Sequence, residues 1–150
     1  MSAMPELQLG CRSRSLERTI ERSEIELLST LTVPDGADAL PRTTGPLGGA
    51  LLAAVVATLA ANTAPLYREL RETHGMRIIA ALGMSATFHA SVGAGDTVWA
   101  ETWLQQVRVS ASNPARRIAT CRDEGRNQNG ALVVELVRTL LVQFDRDSGR

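Results

Sequence analysis

The segment Gly49–Ala61 constrains the fold more than any other part of the chain, because its apolar side chains go nearly all the way round a helix. These side chains are Leu51, Leu52, Val55, Val56 and Leu59. A helix that is apolar on every side is buried inside a protein rather than laid on a surface. The apolar run Leu47–Ala61 is shorter than the roughly 20 residues that cross a bilayer. We therefore expect a helix around which the rest of the chain folds.

Beyond residue 76 the hydrophobic period changes from that of a helix to that of a strand. Four segments are predicted as strands, at residues 77–92, 96–109, 116–127 and 131–145. The last two are joined by Asn127–Gly130, which ends in the Asn-Gly pair typical of hairpins. On the second strand, alternation places Trp99 and Trp103 together on one face. A curved antiparallel sheet that wraps the apolar helix predicts an α+β domain.

The residues before the apolar helix predict one further helix and a loop. Ser23 and Glu26 form a capping box at the start of a short helix over residues 23–31. Proline and glycine residues between Pro34 and Pro41 end that helix and define a loop. Residues 7–20 carry a weak strand pattern. After the apolar helix, residues 65–75 continue as a short polar helix that Gly75 ends.

The amino-acid composition excludes several classes of function. The formal charge of zero argues against a general nucleic-acid or anionic-membrane surface. All 16 basic residues are arginine, which excludes a Schiff-base lysine and a P-loop. Two distant cysteines and two histidines match no metal-ligand spacing, so we expect no metal and no cofactor. With no secretion signal at the start, we expect one cytoplasmic domain over residues 1–150.

Three motifs in the second half of the chain resemble those of a known family. They are Phe88 with the turn Gly95-Asp96-Thr97, the serine-rich bend Ser110–Pro114, and the hairpin Asn127–Gly130. Their order and spacing resemble those of the MaoC-like single hot-dog hydratases and dehydratases. The resemblance implies a hot-dog fold, in which a curved antiparallel sheet wraps a central helix, and activity on acyl thioesters.

The sequence departs from this family at the active site. Active members carry an Asp followed five residues later by a His. Five residues after Asp35 stands Leu40, and five residues after Asp38 stands Thr43, so neither register supplies an imidazole. Asp35 and Asp38 remain the candidate catalytic carboxylates, with Asp38 preferred because it is nearer the helix. The alternative is that both bond their own backbone in turns.

The resemblance also implies candidate substrate-binding residues. Backbone amides at Gly48 and Gly49 would receive the thioester carbonyl, because free N–H groups at a helix start stabilise negative charge. The other candidates are Arg42, Thr43, Thr44, His89, Ser110, Ser112 and Asn113. The glycines also suit a simple turn into the helix, and the polar side chains also suit solvated positions.

Two main functions follow from these observations. The first is a lyase-type enzyme on an acyl or polyketide chain carried by CoA or a carrier protein. It would catalyse hydration, dehydration or a related proton transfer such as isomerisation or cyclisation. The second is a non-catalytic subunit that binds the acyl chain and pairs with an active hot-dog partner. In either case we expect a homodimer or a heteromer, because hot-dog domains leave an edge strand open. Thioesterase activity is less favoured, since the central helix carries no acid.

Overall fold

The computed structural model describes residues 7–32 and 47–145, which form three helices and six strands. The helices are α1 (Arg22–Thr32), α2 (Gly49–Thr63) and α3 (Pro65–Glu72). The strands are β1 (Ser13–Arg14), β2 (Arg18–Thr19), β3 (Met76–Phe88), β4 (Thr97–Val109), β5 (Arg117–Asn127) and β6 (Leu132–Phe144). The predicted loop between Pro34 and Pro41 lies outside the described residues.

The six strands form one antiparallel sheet in the order β1-β4-β5-β6-β3, with β2 also paired to β4. The four long strands confirm the strand predictions. The weak pattern over residues 7–20 gives two strands of only two residues each. Gly130 closes the β5–β6 hairpin, since its N–H donates to the Asn127 carbonyl at 2.9 Å and its φ is +75°.

Helix α2 packs one side against the inner face of this sheet. Leu52, Ala53, Val56 and Ala60 are buried there. Val56 lies so close to β5 that a Cβ on Gly125 would sit 2.7 Å from a Val56 methyl group. On the opposite side of the helix, Ala54 and Thr58 are exposed. The prediction that this helix is buried on every side is therefore wrong for the described part of the chain, because the sheet covers only one side of α2.

Helix α3 begins immediately after α2 because of the Ala64-Pro65 pair. Ala64 has an extended backbone, which proline favours in the residue before it, and Pro65 then occupies the first turn of the new helix. Tyr67 and Leu70 turn inward from α3 and are buried. Gly75 has a φ of +60°, in the left-handed region that glycine adopts freely, and it leads directly into β3.

The outer face of the sheet is polar and carries both tryptophans. Trp99 and Trp103 share this face of β4, as alternation predicted. The guanidinium of Arg14 lies 3.8 Å from the Trp99 ring centroid, and that of Arg12 lies 4.3 Å from the Trp103 centroid. Arg12 also pairs with Glu101 at 2.8 Å. These contacts hold the short strand β1 on the sheet.

Strand β3 is a long edge strand with little cover on its inner face. Its register with β6 places Ile78, Met84, Ala86 and Phe88 on the side of the sheet that α2 packs against. Ile78, Met84 and Phe88 nevertheless remain 45%, 52% and 49% exposed. Its 13 residues include no acidic residue, lysine or proline, which often block an edge, but its register with β6 shifts between Ile78 and Ala80 and between Ala81 and Gly83.

Candidate functional site

The start of α2 forms the centre of the candidate site. Gly48 precedes the helix and receives no side-chain cap from the described part of the chain, and Gly48, Gly49 and Ala50 are exposed. The first intrahelical bond runs from the Leu52 N–H to the Gly48 carbonyl at 2.9 Å, so the preceding amides have no partner within the helix. The Leu47 N–H donates to the Val92 carbonyl at 2.7 Å and fixes the approach to the helix. Amides that lack a partner within the helix favour a negatively charged oxygen at this position.

An aromatic ring stands against one side of this helix start. A Cβ built on Gly49 would lie 3.0 Å from the Phe88 Cζ and 3.2 Å from both Cε atoms. A Cβ on Gly48 would meet nothing within 4 Å. The tip of the ring therefore closes the Gly49 side of the helix start, and none of the described residues closes the Gly48 side.

An apolar groove of about 450 Å³ runs along the exposed side of α2. It begins beside the helix start at Leu47 and Leu51 and continues past Val55 and Leu59 to Asn62. Ile20 and Leu27 line its other wall. Arg18 and Glu24, which form an ion pair, also line the groove. The groove thus offers mainly hydrocarbon contact next to a source of hydrogen-bond donors.

Five of the predicted site residues lie outside the described residues. They are the candidate catalytic Asp35 and Asp38 and the candidate binding residues Arg42, Thr43 and Thr44. Their roles stay predictions.

His89 lies on the face of the sheet opposite to Phe88. Its Nε2 is 2.7 Å from the Glu135 Oε2, and the Glu135 Oε1 is 3.9 Å from Arg122. Phe88 faces the helix, and His89, as the next residue of an extended segment, faces away from it. The structure therefore separates the imidazole from the helix start by the thickness of the sheet, and its predicted binding role stays a prediction.

The serine-rich bend is far from the helix start within one copy of the chain. Ser110 and Ser112 hydrogen-bond each other through their hydroxyls at 3.1 Å, and Asn113 Oδ1 accepts from the Ala115 N–H at 2.9 Å. The strand partners of Phe88 lead across the sheet to Ala100. Ser110 lies ten residues further along β4, or about 30 Å at the usual rise of a strand.

Asp96 holds two turns together, as expected of its position after Gly95. Its Oδ2 accepts from the Gly93 N–H at 2.9 Å, and its Oδ1 accepts from the Gln128 side chain at 2.8 Å. The bond from the Gly93 amide, with a smaller contribution from Gln128, lowers the pKa of Asp96. This carboxylate therefore joins the turn before β4 to the β5–β6 hairpin.

The sequence reasoning missed a buried polar cluster on the inner face of the sheet. Arg138 Nε donates to Asp123 Oδ2 at 2.6 Å, and its terminal nitrogen donates to Asp123 Oδ1 at 2.9 Å and to the Tyr67 hydroxyl at 2.6 Å. Asp123 is 1% and Arg138 8% exposed. The sequence did carry a signal for this cluster. Asp123 and Arg138 are an acid and a base at inward-facing positions of two neighbouring strands whose adjacent inward-facing residues are apolar.

Burial and pairing shift the pKa values within this cluster. Burial raises the pKa of the Tyr67 hydroxyl well above its usual range and also raises that of the Cys121 thiol beside it. Burial is the largest influence on the pKa of Arg138 and would lower it, but the hydrogen bonding to Asp123 and the charge interactions with Tyr67, Asp123 and Cys121 together outweigh burial and raise the pKa. Tyr67 and Cys121 therefore stay neutral near pH 7, which disfavours a nucleophilic role for this cysteine.

Neither a metal site nor a single membrane-crossing helix is found in the described ranges. Among residues 7–32 and 47–145, no three or more His, Cys, Asp or Glu side chains group closely enough to hold a metal ion. Within the same ranges no single helix has the length and apolar character to cross a membrane, although α2 and α3 together, bent by 50°, meet those two criteria.

The fold and the central helix identify the class of structure as hot-dog. A MaoC-like dehydratase from Rhodospirillum rubrum superposes with a TM-score of 0.70 at 19% identity, over 93% of this chain and 95% of that one. The HadBC (3R-hydroxyacyl-ACP dehydratase) complex from Mycobacterium tuberculosis superposes with a TM-score of 0.67 at 17% identity, over 93% of this chain and 99% of that one. An (R)-hydratase from A. caviae involved in PHA biosynthesis superposes with a TM-score of 0.57 at 25% identity, over 93% of this chain and 98% of that one. The predicted hot-dog fold, shared with MaoC-like dehydratases and (R)-hydratases, is thus confirmed. Sequence comparison with family models and with curated proteins gives no match.

Proposed function

We propose that this chain is a hydratase- or dehydratase-type enzyme that acts on an acyl thioester carried by CoA or an acyl carrier protein. The observation that carries the proposal is the exposed start of α2, which no described side chain caps, beside an apolar groove of about 450 Å³. The free amides suit a thioester carbonyl and the groove suits the acyl chain. The solved structures that share this fold include enzymes of the same reaction type.

The chemistry assigns separate roles to the helix and to a carboxylate. In dehydration, a base removes the proton from the carbon next to the carbonyl, and the electron pair is held as an enolate whose oxygen accepts bonds from the helix amides. The hydroxyl group on the next carbon then leaves as water, after it receives a proton. Hydration runs the same steps in reverse. Asp38, or Asp35 in its place, supplies the base in this proposal.

The experiment tests the two aspartates with a defined probe. Asp35→Asn, Asp38→Asn and the double variant are assayed with crotonyl-CoA, by the loss of enoyl thioester absorbance on hydration. We expect kcat to fall by about 10²–10⁴-fold in the variant that loses the base. Asp145→Asn is the matched control, because Asp145 pairs with Arg77 at the end of β3 far from the start of α2. Full turnover in the double variant would remove this mechanism.

A non-catalytic binding subunit is the second candidate, and two observations favour it. The sequence has no histidine at either dyad position, and the imidazole of His89 is engaged by Glu135 on the outer face. The apolar edge strand β3 suits pairing with a second hot-dog chain, either another copy or an active partner. A chain that binds butanoyl-CoA but turns over no enoyl-CoA unless a dyad-bearing partner is added would support this candidate.

A further inference from the structure

The apolar groove along α2 contains a stripe of aliphatic side chains that has a definite length. Leu51, Val55 and Leu59 line the groove at intervals of four residues, and each of them is half-buried. Residues four apart lie one above the other on the same side of a helix, so the three side chains form a continuous stripe along the helix. From Leu51 to Leu59 the stripe measures about 12 Å at the usual rise of a helix.

The first turn of α2 joins this stripe to the amides of the candidate site. The first bond within the helix is donated by the Leu52 N–H, so the amide of the preceding Leu51 is among those that lack a partner in the helix. The side chain of the same Leu51 lines the near end of the groove together with Leu47. An acyl chain whose carbonyl accepts a hydrogen bond from this turn therefore starts at the near end of the stripe.

The stripe changes from apolar to polar one helical turn beyond Leu59. The next position in the series of four is Thr63, whose hydroxyl donates to the Leu59 carbonyl at 2.7 Å and accepts from the Leu16 N–H at 3.0 Å. Asn62 lines the groove beside Thr63. Leu59 is thus the last aliphatic residue of the stripe, and a hydrocarbon that passes it makes no further apolar contact with the stripe.

The length of the stripe determines how much of an acyl chain it covers. Carbon–carbon bonds of about 1.5 Å advance an extended hydrocarbon by about 1.3 Å per carbon. The stripe of about 12 Å therefore covers roughly nine carbons. The carbonyl carbon and one or two of its neighbours lie before the stripe, at the helix start, so the whole acyl chain has about 10–12 carbons.

We infer that this site selects acyl thioesters of medium length, because the stripe covers a chain of about 10–12 carbons and ends at Thr63. The inference rests on the proposed function, since it assumes that the start of α2 receives the thioester carbonyl. It adds the substrate class, and it assigns the selection of chain length to Leu51, Val55 and Leu59.

A series of straight-chain saturated thioesters tests the inference without turnover. The full chain is titrated by calorimetry with acyl-CoAs from butanoyl-CoA to hexadecanoyl-CoA, each below the concentration at which it forms micelles. Each methylene group that the stripe covers should tighten binding by up to about fourfold. The affinity should stop rising at about decanoyl- to dodecanoyl-CoA, and this levelling point is the quantity that the experiment measures.

Two variants place an aromatic ring in the stripe at different depths. Val55 and Leu59 are about 6 Å apart along the helix. Both Val55→Phe and Leu59→Phe should move the levelling point to shorter chains, and Val55→Phe should move it by roughly four or five carbons more. Val109→Phe is the matched control, because it makes the same substitution at an exposed residue at the end of β4 and should leave the levelling point unchanged.

The outcomes separate this inference from the proposed function. If butanoyl-CoA binds but the affinity is independent of chain length, or rises without levelling up to hexadecanoyl-CoA, the inference on chain length is overturned alone. The same holds if both ring variants are folded and keep the original levelling point. If no acyl-CoA of the series binds and crotonyl-CoA is not hydrated, the proposed function is overturned as well.

Discussion

At the scale of single residues, the ion pair of Asp123 and Arg138 is the least expected feature of this hot-dog domain. Both side chains lie in the protein interior, where separating two charges from water is costly. The pair is compensated by two hydrogen bonds between the partners and a third from Arg138 to Tyr67. Because the three residues come from β5, β6 and α3, the cluster joins the third helix to the sheet.

Removing one partner of this pair should destabilise the fold strongly. We expect Asp123→Asn to lower the free energy of unfolding by about 3–5 kcal/mol, because Arg138 would stay buried without its counter-charge. The double variant Asp123→Leu/Arg138→Met should cost less than Asp123→Asn, since it leaves no unpaired charge. Chemical denaturation of the three proteins checks this order, and a double variant weaker than the single one would contradict it.

At the scale of elements, the helices and long strands follow from local sequence. The period of the apolar residues predicts α2, β4, β5 and β6 because each of them has a buried side. It also predicts β3, although only Met76 of that strand is buried. The two short strands β1 and β2 have no such period. Strand β1 is held by residues that are distant in the sequence, because Arg12 and Arg14 stack on the two tryptophans of β4. Local reasoning could not find those partners, just as it missed the cluster around Arg138.

The link between two turns through Asp96 should make stability depend on acid pH. Its pKa is lowered in the folded state, so the contribution is present above the ordinary value of 3.8 and is lost as the pH falls through the folded pKa. The carboxylate is only partly buried and is in contact with solvent, so the effect should be below about 1 kcal/mol. Denaturation between pH 6 and about pH 3 should show that the free energy of unfolding falls less in Asp96→Asn than in the unmodified chain. Identical acid profiles would contradict the assignment.

At the scale of the whole molecule, the sheet ends on one side in an exposed apolar strand. The sequence predicts β3 as a strand but does not reveal that the described residues leave much of its inner face exposed, because cover depends on which elements pack there. The same reason explains the wrong prediction for α2, because its apolar outer side was expected to be buried and instead lines the groove. Asp35 and Asp38, which the sequence makes the candidate base, lie outside the described residues.

The exposed strand predicts self-association that a single charge should weaken. Leu82→Asp places a carboxylate on β3, and we expect it to convert a dimer to a monomer while the fold is retained. Leu9→Asp is a matched control, since Leu9 is 53% and Leu82 52% exposed but Leu9 lies in a turn away from β3. Light scattering with size-exclusion chromatography measures both. A Leu82→Asp protein with unchanged mass would contradict pairing through this edge.

The stacking of Arg12 and Arg14 on the two tryptophans has a practical consequence. Both indoles of the chain lie on the outer surface of β4, with the sheet between them and the groove along α2. Intrinsic fluorescence will therefore respond when the amino-terminal segment detaches from the sheet. An acyl chain that enters the groove will leave this emission nearly unchanged, so ligand titrations need a different optical reporter.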